Sequence, residues 1–118
     1  MPAARCATIV VLEESAAAQE LIERALRESG HRALITNDLL EVVELTRRVR
    51  IDLLVGDVYL LGRNRPLVEQ IHRSQQHLRI LYVSGRLNDG TSTLQAPFSL
   101  QQLTDAVSAA LSAESAEV

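Results

Sequence analysis

The stretch ATIVVLEES, Ala7–Ser15, decides the fold. Ala7 to Leu12 is apolar and mostly β-branched with no polar alternation, the pattern of a strand buried on both faces, as in a parallel sheet. Glu13 and Glu14 end the run, and Ser15 is the residue type of a helix N-cap. Beyond it Ala18, Leu21, Ile22, Ala25 and Leu26 recur at helical spacing, which predicts an amphipathic helix buried by that face, with Gly30 placed to stop it. Strand, acidic turn and one-sided helix form a unit.

The unit recurs on the carboxyl side. RALIT, Arg32–Thr36, reads as a second strand, and Leu39, Val42, Val43 and Val49 form one helical stripe between Asp38 and Val49. DLLVGD, Asp52–Asp57, is a third apolar strand ending in an acid. Asn64 and Pro66 then signal the start of a helix that carries Leu67, Val68 and Ile71. RILYVSG, Arg79–Gly85, is the fourth strand. Only RLNDG separates it from a fifth around Thr91–Gln95, too little for a full helix. Ser99 and Gln102 have the spacing of a capping box, and Phe98 and Leu103 that of a hydrophobic staple. Leu100, Leu103, Val107, Ala110 and Leu111 are the expected buried face of the last helix.

Five strands alternating with helices imply an α/β fold: one open, doubly wound, flavodoxin-like domain with a five-stranded parallel sheet and a fourth helix shortened or missing. The expected single domain spans residues 1–118, with its core at about 7–111 and a small, acidic 112–118 segment as a frayed tail or linker.

With 118 residues there is room for one domain and one core. No apolar run approaches the roughly 20 residues of a membrane-spanning helix, and the start lacks an export signal, so the expectation is a cytoplasmic protein without membrane contact. The single cysteine, Cys6, reads as a small core hydrophobe, and His31, His72 and His77 as surface residues. Net charge is −3, and all twelve basic residues are arginine. They are scattered, with none beyond Arg86, so no basic stripe follows a phosphate backbone and no direct nucleic-acid binding is expected.

In a doubly wound sheet, chemistry sits beyond the carboxyl ends of the strands. That rule selects Glu13, Glu14, Asp57, Ser84 and Ala96. Three carboxylates gathered there suit a hard divalent cation such as Mg²⁺; dispersed, they are solvated turn residues. The spacing leaves both readings open. A dinucleotide site is disfavoured because EESAAA lacks the glycines that admit a pyrophosphate. DVYLLG resembles the Asp-x-His-x-x-Gly loop of cobalamin-binding modules, but Tyr59 stands at the histidine position and the loop follows the wrong strand.

From Ala7 to Leu111 the chain resembles a response-regulator receiver domain of two-component phosphorelay signalling. The resemblance rests on VVLEES, RESGH, IDLLVGD, ILYVSG and APFSLQQL. It implies a signalling module, not an enzyme, that accepts a phosphoryl group on Asp57 from a histidine kinase or phosphotransfer protein. Glu13, Glu14, Asp57 and the Tyr59 backbone carbonyl would hold Mg²⁺, and Ser84 would contact a phosphoryl oxygen. LYVSG and PFSL also resemble receivers within hybrid kinases.

Three departures bear on that activity. Ala96 stands where the family has a phosphoryl-pairing lysine, and only an arginine, Arg86 or Arg63, could replace the cation. Thr93 stands where an aromatic switch residue is usual. The RLNDG interval shortens the face used for output. Gly56 before Asp57, and Leu61 where proline is common, are smaller departures. The alternative is a pseudo-receiver, an interaction module that signals without phosphorylation.

Overall fold

The computed structural model describes residues 6–84, 94–95 and 99–116. Strands β1 (Thr8–Leu12), β2 (Arg32–Thr36), β3 (Leu53–Asp57), β4 (Arg79–Ser84) and β5 (Leu94–Gln95) form one parallel sheet, ordered β2-β1-β3-β4-β5. The helices are α1 (Ala16–Glu28), α2 (Leu39–Thr46), α3 (Val58–Gly62), α4 (Arg65–Ser74) and α5 (Leu100–Ala116). The chain winds outward from β1 to β2, then returns past β1 to β3. The switch point therefore lies between β1 and β3.

The uniformly apolar strands supply two cores, one on each face of the sheet. Ile9, Val11, Leu53 and Val55 face Ile22 and Leu26 of α1 and Leu103 and Val107 of α5. Val10, Leu12 and Leu54 face Val42 and Val43 of α2, Leu61 of α3 and Ile71 of α4. Alternate residues of each strand thus serve opposite layers, which is why the run shows no polar period.

The caps form as the residue types dictate. Ser15 Oγ accepts from Ala18 N at 3.3 Å. At the other end of α1, Gly30 adopts φ 92°, so that its N–H reaches the Arg27 carbonyl and the His31 N–H the Leu26 carbonyl. That is a Schellman ending, and the left-handed backbone it needs favours glycine. Ser99 and Gln102 close their box reciprocally: Ser99 Oγ accepts from Gln102 N at 3.0 Å, and Gln102 Oε1 accepts from Ser99 N at 2.8 Å.

Several expectations need correction. Leu21 and Leu100, assigned to buried faces, are 50% and 39% exposed, because each stands at the margin of its helix's apolar stripe. Val49 lies past the end of α2, and Cys6 is exposed ahead of β1. α5 continues through Ala116, past the point at which the tail was expected to fray. The helix α3 was not anticipated. Phe98 and the segment expected to have a shortened or missing helix lie outside the described residues.

The amino ends of the strands are fastened by side chains. His31 is half-buried, its Nδ1 accepting from Ala7 N at 3.2 Å, and Asp52 Oδ2 accepts from Thr8 N at 2.8 Å. Burial lowers the His31 pKa, with Asp52 pulling the other way. His77 is also half-buried, with Nε2 unpartnered among the described residues. Gln75, buried at the end of α4, donates from Nε2 to the carbonyls of Thr46 (2.9 Å) and Val49 (2.6 Å). Its Oε1 accepts from Ile51 N at 2.7 Å, so one side chain clasps the end of α2, the approach to β3 and the end of α4.

Candidate functional site

β1 and β3 run side by side with Leu12 opposite Gly56, and β3 lies beside β4 with Asp57 opposite Val83. Glu13, Asp57 and Ser84 consequently stand at neighbouring strand ends on the carboxyl rim. Their backbones are brought together as the topology requires. The carboxylates, however, turn to local partners.

Glu13 is half-exposed. Its N–H continues the sheet by donating to the Thr36 carbonyl at 2.9 Å, and its own carbonyl accepts from Gln19 Nε2 at 2.6 Å. Glu13 Oε2 folds back to accept from Ser15 N at 3.0 Å. Glu14 is exposed. Nearby, Thr36 Oγ accepts from Asp38 N at 3.1 Å and donates to Glu41, while Asp38 caps α2 by accepting from Leu40 N at 2.9 Å. These bonds hold the acids of this rim against the turns from which they project.

Asp57 is half-buried, and its Oδ2 accepts from Leu60 N at 2.9 Å. Since α3 begins at Val58, Leu60 is its third residue and the carboxylate acts as an N-cap, satisfying a donor that has no partner within the helix. Tyr59 is the second residue of α3. Helical carbonyls point along the axis toward the carboxyl end, so that of Tyr59 is directed away from Asp57.

Close packing makes the corner possible. A Cβ built on Gly56 would lie 3.0 Å from Leu61 Cδ1 and 3.6 Å from Leu12 Cβ. Leu61, 2% exposed, fills the space that a side chain at position 56 would need. The two unusual residues around Asp57 are therefore one packing arrangement, and it seats α3 directly against the end of β3.

A Mg²⁺ site would require Glu13, Glu14, Asp57 and the Tyr59 carbonyl to converge. Among the described residues, no three His, Cys, Asp or Glu side chains are placed to hold a metal ion. With no such cluster and the Tyr59 carbonyl directed elsewhere, the residues as arranged do not fit the ion.

No family model matches the chain, and no curated protein does. Solved structures do match. A response regulator from Thermotoga maritima superposes with a TM-score of 0.79 at 20% identity, over 92% of this chain and 99% of that one. The fold is that of response-regulator receiver domains. The receiver domain of the hybrid histidine kinase CckA gives a TM-score of 0.73 at 23% identity, over 88% of this chain and 98% of that one. NtrX from Brucella abortus, in complex with ADP, gives 0.80 at 20% identity over 96% of this chain, which spans 28% of NtrX.

Within the receiver fold, Asp57 occupies the end of the central strand and Ser84 the end of its neighbour. Arg63 is exposed just past α3. Arg86, Thr93 and Ala96 lie outside the described residues. Sequence reasoning missed the capping role of Asp57. An acid immediately ahead of the short apolar VYLL was the available signal.

Proposed function

We propose that this chain is a receiver-type module of two-component signalling that acts through contact with a partner protein, without a Mg²⁺-dependent phosphoryl cycle. The carrying observation is the Asp57 carboxylate serving as the cap of a helix that starts one residue later. The scattered acids, the direction of the Tyr59 carbonyl and the alanine at position 96 support the same reading. Its setting is a cytoplasmic relay that includes a histidine kinase, or the other domains of a hybrid kinase such as the one that carries the CckA receiver. In this role the module has no enzymatic activity of its own.

A second reading, acceptance of a phosphoryl group on Asp57, is favoured by one observation: Asp57 is half-buried rather than sealed, at a strand end beside that of Ser84. Intact mass after incubation with a small acyl phosphate and Mg²⁺ decides between them. The proposal expects no added phosphoryl group on a protein whose circular dichroism is that of a folded α/β domain. A metal-dependent gain of one group, absent in Asp57→Asn, would establish the second reading instead.

A further inference from the structure

Some of the charges that look scattered in sequence come together in the fold. Glu13, Glu14, Asp38, Glu41 and Asp57 occupy the carboxyl rim of the sheet. At the opposite edge, the Gln75 clasp joins the ends of α2 and α4 and gathers Arg47, Arg48 and Arg50 beside His72 and Arg73, all exposed. Two of these arginines have local partners: Arg47 pairs with Glu44 at 3.4 Å and Arg50 with Asp52 at 3.3 Å. Among the described residues Arg48 and Arg73 have none. A cation in a last helical turn answers the helix dipole, which accounts for Arg73; Arg48 and Arg50 lie beyond it.

We infer that this edge is a docking surface for an acidic segment of a partner protein. The occupant follows from charge complementarity and extent. Arg47, Arg48, Arg50 and Arg73 stand at two adjoining helix ends, with Glu44 and Asp52 among them, on a chain of net charge −3. A duplex with one charge per about 1.7 Å would soon run off such a patch. Unpaired guanidinium groups suit an acidic peptide, whose carboxylates each offer a planar pair of acceptors. The inference rests on the partner-binding reading only in requiring a protein partner, and Asp57 lies at the other rim.

The test is fluorescence anisotropy with a labelled peptide of alternating Glu and Gly, about twelve residues long, against the whole chain. Salt-sensitive binding is expected, weakened about tenfold or more in Arg48→Glu/Arg73→Glu. Binding should be unchanged in Asp57→Asn and in Arg65→Glu, a charge reversal at the start of α4 on the opposite rim. Unaltered thermal unfolding of the double variant shows that its fold is intact. Equal weakening by Arg65→Glu, no peptide binding, or preferential binding of duplex DNA or anionic phosphatidylserine vesicles would each overturn the inference. Peptide binding that persists in a chain phosphorylated on Asp57 would leave this surface standing while the proposed function fell.

Discussion

Replacing Gln75 by alanine tests the clasp that joins α2, α4 and the approach to β3. Gln75 is 7% exposed and makes three bonds to backbone: Ile51 N at 2.7 Å, and the carbonyls of Thr46 and Val49 at 2.9 and 2.6 Å. At about 1 kcal/mol for each bond lost, truncation should cost about 3 kcal/mol. Stranding the Ile51 N–H without a partner adds to that. This is a large share of the roughly 5–15 kcal/mol by which domains are stable. Urea unfolding followed by circular dichroism should show a lower midpoint with an unchanged slope. Gln75→Leu, which keeps most of the volume, should lose nearly as much, because the polar bonds matter more than the packing. Gln75→Glu should lose at least as much near neutral pH, since it turns a donor facing two carbonyls into an acceptor. A loss below about 1 kcal/mol in all three variants would refute the reasoning.

Two further outcomes are expected. If Asp57 caps α3 through Leu60 N, Asp57→Ala should lose about 1 kcal/mol while Asp57→Asn, an equal cap, stays within about 0.5 kcal/mol of the parent; an asparagine variant as weak as the alanine one would remove the capping role. For His31, burial first and Asp52 in opposition leave a folded-state pKa below the ordinary 6.5, so the unfolded chain binds the proton more readily. The contribution of neutral His31 is fully present above the ordinary value and is lost as pH falls through the folded one. The urea midpoint should therefore decline from about pH 7.5 to about pH 5.5, and His31→Asn, which retains an acceptor for Ala7 N, should flatten the decline. An identical decline in that variant would place the effect elsewhere.

What the sequence disclosed followed from which features are local. β1, β2 and the ends of α1 were legible because a β-branched run, a serine cap and a glycine stop each act within a few residues. The Ser99–Gln102 box was legible for the same reason. α3 was not, because VYLLG is one short apolar turn whose helicity depends on Leu61 packing over Gly56. Gln75 read as an ordinary polar residue at a helix end; its partners lie 24 to 29 positions away. At the candidate site the topology fixed which strand ends carry Glu13 and Asp57, but not that both carboxylates turn back onto nearby backbone. The arginine patch was hidden similarly, since α2 and α4 adjoin only after folding.

The interlock of Gly56 and Leu61 also constrains how this chain can change. A β-carbon at position 56 needs the Leu61 Cδ1 to give by a few tenths of an ångström, and a larger side chain needs more. The two positions are therefore epistatic: a substitution at position 56 should cost less beside a smaller residue at position 61 than beside the leucine.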